Sequence, residues 1–183
     1  MERLQEQFNK KIVPALAKEF GFENVMQVPR VSKIVLNAGI GKFTKDQKFV
    51  DSIRRDLANI AGQAPVETKA RKSIAGFKVR ENQTVGLMVT LRGGRMYAFL
   101  DKLINVALPR VKDFRGLDPK GFDGRGNYHL GLREQIVFPE VSSEAIEHIF
   151  GLEVSIVTTA GKDESAHALL KLMNFPFITP EEK

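Results

Sequence analysis

The sequence predicts an α+β fold, an open sheet with helices on one face and a polar surface on the other. Three observations predict it. Stretches with a two-residue apolar period (Val31–Asn37, Val85–Arg92, Leu152–Thr159) alternate with stretches of three-and-four spacing (Phe49–Ile60, Met96–Ala107, Ala166–Met173). Each strand-like stretch is apolar on one face only, which calls for helices on that side alone. With 43% hydrophobic residues and no cysteine among 183, the core must come from packing rather than cross-links. Length favours one domain over residues 1–183, with five to six strands, five helices, a basic loop at 69–80 and a glycine-rich arm at 112–127.

Leu4, Phe8, Ile12, Leu16 and Phe20 recur every four residues and form one helical stripe. Pro14 lies inside it, so the helix is expected to kink there or to start later, and Gly21 to stop it. Val31–Asn37 reads as a strand with Ile34 and Leu36 on one face and Lys33, Val35 and Asn37 on the other. Thr44 and Gln47 have the spacing of a capping box for the next helix, whose buried stripe is Phe49, Ile53, Leu57 and Ile60 and whose stop is Gly62.

Gln63–Lys69 reads as a short strand, with Gln63, Glu67 and Lys69 on one face and Val66 and Thr68 on the other; Pro65 places it at an edge or a strand start. In the strand Val85–Arg92, residues Val85, Leu87, Val89 and Leu91 face the core, and Gly86, Met88, Thr90 and Arg92 face away. Met96, Phe99, Leu100, Leu103, Ile104 and Ala107 mark a helix that ends before Pro109. Lys112–Asn127 interleaves four glycines with charge and reads as a long mobile loop. Mixed strand character returns over Tyr128–Phe138. A short helix at Ser142–Phe150, a strand at Leu152–Thr159 and a helix at Asp163–Met173 complete the chain.

Catalysis has no positive signal. The P-loop spacing around Gly39–Lys42 fails at Leu36 and Phe43, and the glycines of Gly121–Gly126 are in the wrong order for a dinucleotide fingerprint. No nucleophile elbow is present, and His129, His148 and His167 have no metal-ligand spacing. No cofactor, metal or small-molecule substrate is expected. No run approaches the ~18 apolar residues of a membrane span, so a cytoplasmic protein without a membrane partner is expected.

The net charge of +6 favours a polyanionic partner, above all nucleic acid. The charge concentrates in Lys69–Arg80, where Lys69, Arg71, Lys72, Lys78 and Arg80 are basic and no residue is acidic. Ser73, Gly76 and Phe77 complete a loop suited to phosphate contact and to stacking. The plain alternative is a solvated loop that keeps the protein soluble. The open sheet face would carry Lys33, Asn37, Gln63, Lys69, Thr90 and Arg92. Such faces are commonly only wet.

Leu57–Ser73 (LANIAGQAPVETKARKS) closely resembles the signature of the bacterial L-five family of large-subunit ribosomal proteins. So do Val35–Gly41, Thr90–Leu100 and the glycine-rich run from Phe114 to Tyr128. The resemblance extends along the whole chain. It implies a curved antiparallel or mixed sheet backed by helices, and a non-enzymatic ribosomal component. Such a component binds 5S rRNA, helps seat it in the central protuberance beside 23S rRNA, reaches P-site tRNA and bridges to the small-subunit protein S-thirteen. On this reading Lys33, Asn37, Gln63, Thr90 and Arg92 contact 5S rRNA, and the loop at 69–80 contacts tRNA. Arg115, Leu117, Lys120, Phe122 and Arg125 form the bridging arm, because Lys112, Arg115, Lys120 and Arg125 nearly balance Asp113, Asp118 and Asp123. A small enzyme on an anionic substrate and a free-standing RNA chaperone are the competing readings. Co-sedimentation with large subunits separates them from the first.

Overall fold

The computed structural model describes residues 3–41, 46–141 and 149–178. It is an α+β fold with an open, antiparallel five-stranded sheet. The strands are β1 (Val31–Gly39), β2 (Val66–Lys69), β3 (Thr84–Leu91), β4 (Tyr128–Leu132) and β5 (Leu152–Thr158), in the order β2-β3-β1-β5-β4. β2 lies at an edge, as Pro65 leads one to expect. The chain forms two compact units. The first comprises Met1–Ile34, Leu91–Leu130 and Ser155–Lys183; the second comprises Val35–Thr90 and Gly131–Val154.

In the first unit, helix α1 (Arg3–Gln7) continues through a π turn (Phe8–Ile12) into α2 (Val13–Phe20). The α-helix thus restarts at Val13, beside the Pro14 at which a kink or a late start is expected. Within the π turn the Val13 N–H reaches back to the Phe8 carbonyl, and Pro14 follows in the first turn of α2, where a missing N–H costs little. Leu4, Phe8, Ile12 and Leu16 are buried as the stripe requires, whereas Phe20 at the end is exposed. Gly21 closes the helix at φ 68°, a left-handed cap that favours glycine. Helix α4 (Gly93–Lys102) runs on through another π turn (Leu103–Ala107) and a short 3₁₀ turn that contains Pro109. Its six predicted core residues are all buried. Arg3 pairs with Asp101 at 2.7 Å, and Phe8 meets Tyr97 at 6.2 Å between ring centroids, so α1 and α4 are joined at both ends of the contact. Helix α5 (Asp163–Leu172) buries Ala166, Leu169 and Leu170.

In the second unit, α3 (Gln47–Ala61) buries Phe49, Ile53, Leu57 and Ile60. Gly62 ends it at φ 64°. The start differs from expectation. Asp46, not Thr44, is the N-cap; its carboxylate accepts from the N–H groups of Lys48 (3.1 Å) and Phe49 (3.4 Å). Aspartate at this place satisfies orphan donors and also meets the positive end of the helix dipole. Thr44, and residues 142–148 of the helix predicted at Ser142–Phe150, lie outside the described residues.

Candidate nucleic-acid interface

The sheet of the second unit has two unlike faces, and strand register decides which residues share them. Leu36 and Ala38 of β1 and Leu87 and Val89 of β3 are buried. β2 pairs with β3 so that Glu67 stands beside Leu87, and Thr68 beside Gly86. Paired residues point the same way, so Glu67 belongs to the covered face and Val66 and Thr68 to the open one. Arg54 of α3 confirms this by forming an ion pair with Glu67, which also accepts from the Thr84 hydroxyl at 2.9 Å. The expected faces of β2 are therefore reversed. Lys69 follows a register shift, pairs with Thr84 and sits exposed at the base of the basic loop.

Asn37, Val66, Thr68, Gly86, Met88, Thr90 and Glu153 lie on the open face in this unit. The Asn37 amide donates to Glu153 at 3.3 Å, and Gln63 donates to the Thr90 carbonyl at 3.4 Å. Of the predicted contacts, Gln63 and Thr90 thus come together, and Asn37 meets Glu153. Lys33 and Arg92 belong to the first unit, where Arg92 is an exposed N-cap of α4. Sequence reasoning missed Thr68, for which pairing was the only available signal, and Glu153, which the alternation of Leu152–Thr159 sets opposite the apolar face.

The basic loop is an extension of the β2–β3 hairpin. Ala70 N–H bonds across it to Gln83 O (2.9 Å), and Asn82 N–H to Ala70 O (3.0 Å). Further out Ile74 and Val79 exchange a pair of backbone bonds, and Ser73 Oγ accepts from the Glu81 N–H. The tip is a 3₁₀ turn, Ala75–Phe77, followed by Lys78 at φ 53°. A non-glycine residue in that left-handed region is strained, and such strain persists only where its surroundings hold it. Every residue from Arg71 to Lys78 is exposed, and Phe77 stands 76% in solvent. Among the described residues, none of the five cations is paired with a carboxylate. The finger therefore offers free positive charge around an apolar tip.

The glycine-rich segment is not a free arm. Leu117 N–H bonds to the Pro176 carbonyl (2.7 Å), and Ile178 N–H to the Leu117 carbonyl (3.0 Å). Asp163 accepts from the N–H groups of Gly124 (3.0 Å) and Gly126 (2.8 Å). Leu117 is buried, and Phe122 packs in a ring cluster with Tyr128, His167 and Phe177 at 4.8, 6.0 and 6.0 Å. These two residues therefore serve packing within the unit. Arg115, Lys120 and Arg125 remain exposed. Buried Tyr128 donates its hydroxyl to the Asp118 carbonyl, and burial pushes its pKa up to about 12.

Asp123 organises the turn. The Asn127 side chain (2.7 Å) and the N–H groups of Arg125 and Asn127 all donate to it, and these bonds, the side-chain one first, lower its pKa to about 2. A depressed carboxylate contributes stability that is present above its unfolded value of 3.8 and is lost as pH falls toward 2. Protection of the Arg125 and Asn127 amides, taken relative to their intrinsic exchange rates, should therefore fall across that window, and Asp123→Asn should abolish that loss. Constant protection between pH 4 and 2 would remove this role.

His129 bonds to Ser155 at 2.9 Å, and His167 lies in the ring cluster, where burial lowers its pKa. Among the described residues, no group of three or more His, Cys, Asp or Glu could hold a metal ion. No described helix is long and apolar enough to cross a membrane.

Two family models match the chain: one described as Ribosomal protein L5 over residues 24–80, and one described as the C-terminus of that same ribosomal family over residues 84–177. Among similar proteins, the Large ribosomal subunit protein uL5 of Acidobacterium capsulatum is 58% identical over 175 residues, covering 96% of each chain. That of Roseiflexus sp. is 57% identical over 175 residues (96% of this chain, 97% of the relative). That of Halothermothrix orenii is 54% identical over 177 residues (97% of this chain, 99% of the relative).

Proposed function

Because the chain belongs to the ribosomal protein L5 family, we propose that it binds 5S rRNA through its open sheet face and seats that RNA beside 23S rRNA in the central protuberance. Its broader role is that of a non-enzymatic, structural constituent of the large ribosomal subunit, in the bacterial cytoplasm. The observation that carries the finer reading is the face itself. Asn37, Thr68 and Thr90 present neutral hydrogen-bonding groups on a rigid, backed sheet of a protein with net charge +6. Neutral amides and hydroxyls suit base edges and 2′-hydroxyls of a non-helical RNA segment, and cations such as Lys33 and Arg92 suit its phosphates.

The test is the affinity of Asn37→Ala and Arg92→Ala for 5S rRNA across a salt series. Arg92→Ala should flatten the dependence of log affinity on log salt by about one unit. Asn37→Ala should weaken binding about three- to ten-fold with the slope unchanged, as befits one neutral hydrogen bond. Unchanged affinity and slope in both would remove the face from the interface.

We propose further that the finger reaches P-site tRNA, and that the rim of the glycine-rich segment meets protein S-thirteen of the small subunit. The bridging contact falls to the exposed Arg115, Lys120 and Arg125 rather than to the inward Leu117 and Phe122. Mixed charge suits a contact that must break and remake as subunits rotate. A photo-cross-linker at Lys120 or Arg125 in intact ribosomes should capture a small-subunit protein. Labelling confined to rRNA would end the bridge assignment.

A further inference from the structure

The open face of the second unit contains a notch whose floor is Gly86. A Cβ added there would lie 2.7 Å from Thr68 Oγ1, 3.3 Å from the Ala38 carbonyl oxygen and 3.6 Å from Asn37 Oδ1. Three oxygens thus converge on the space that any other residue would fill. The orientation of Asn37 follows from chemistry. A carboxylate only accepts hydrogen bonds, so the Asn37 group facing Glu153 at 3.3 Å must be its NH₂. The Asn37 carbonyl is thereby turned toward Gly86, and the notch presents acceptors. Thr68 can add a further acceptor or rotate its hydroxyl to suit.

We propose that this notch reads one hydrogen-bond donor of the bound RNA, a ribose 2′-hydroxyl or a base amine, and that Glu153 is a positioning residue that fixes the acceptor sense of Asn37. This rests on the RNA-binding reading above and adds Thr68, Gly86 and Glu153 to it. Glu153 also explains why an acidic side chain is placed on a face meant for RNA. Its charge repels phosphate, so backbone cannot slide over the notch in place of a donor. Removing the donor from the RNA should weaken binding about three- to ten-fold, the size of one hydrogen bond.

The experiment is interference mapping with pools of 5S rRNA transcripts. One pool carries single 2′-deoxy substitutions; the others carry inosine for guanosine or purine riboside for adenosine. With the wild-type protein, at least one substituted position should be depleted from the bound fraction, and the pool in which it appears separates ribose from base. With Gly86→Ala/Thr68→Ala, in which the hydroxyl that would clash is gone and the notch is filled, that depletion should vanish while the others persist. Glu153→Gln touches no backbone contact. Its neutral amide can accept or donate, so Asn37 is free to reverse, and the same position should lose its depletion while depletion at the other positions persists. Identical maps for wild type and both variants, at matched thermal stability, would overturn the notch while leaving 5S rRNA binding intact. Failure of the wild-type protein to retain the transcript at all would overturn both.

Discussion

Alanine at position 121 should cost the fold about 2–3 kcal/mol, the scale of overpacking that cannot relax. Its Cβ would stand 2.7 Å from the His129 carbonyl oxygen and 2.7 Å from the Tyr128 ring. Neither can yield readily. The carbonyl is part of β4, and Tyr128 is 2% exposed with its hydroxyl held by Asp118. Gly124→Ala is the matched control. Gly124 has φ 80° but open space around it, so alanine there should cost only the left-handed strain, about 1–2 kcal/mol. Urea midpoints of the two variants and the wild type decide the matter. If Gly121→Ala unfolds with the wild-type protein, the segment is loose after all and the free-arm reading returns.

That contrast shows where the sequence was silent. Glycine serves a deformable linker and a tight backbone crossing equally well, and composition alone does not separate the two. A finer signal was present, since Leu117 and Phe122 are large apolar residues in a charged loop, as inward-packed residues are. The helices were legible because their signals are local. Phe49, Ile53, Leu57 and Ile60 sit on one face by spacing alone, and Gly62 must stop the run. β1 was legible for the same reason. β2 was not, because four residues with Glu67, Thr68 and Lys69 among them carry too little alternation, and a face assignment flips with a one-residue slip. Its register is set by the pairing with β3 and by the ion pair to Arg54, both non-local. Of the candidate interface, Asn37 and Thr90 were therefore readable from alternation. The face of Thr68, and the contact of Glu153 with Asn37, emerge only when neighbouring strands are laid side by side. The N-cap expected at Thr44 falls instead to Asp46, because the first free helical N–H groups are those of Lys48 and Phe49.

Neutralising the finger should have the largest effect on function. Replacing Arg71, Lys72, Lys78 and Arg80 by glutamine keeps chain length, the Ile74–Val79 bridge and the exposed Phe77, and removes four unpaired charges. If each charge neutralises one phosphate, the salt dependence of P-site tRNA retention should flatten by about three units. Between 50 and 200 mM salt the wild-type ribosome should then lose roughly fifty- to a hundred-fold more affinity than the variant does. Binding of 5S rRNA should be untouched, because the finger extends from the β2–β3 end of the hairpin and the 5S contacts proposed above lie on the sheet. A backbone grip carries no sequence information, which is what a site serving every tRNA needs. The exposed Phe77 ring adds a surface on which a base or sugar can stack, sequence-tolerant for the same reason. The measurement is the rate of tRNA loss from ribosomes reconstituted with the variant, taken across a salt series beside 5S rRNA affinity of the isolated protein. Weakened 5S rRNA binding by a folded variant would reverse the assignment of finger and face. Unchanged tRNA loss with intact 5S binding would reduce the finger to a cover for neighbouring rRNA, since its free charge would then have to be neutralised by phosphates that stay in place.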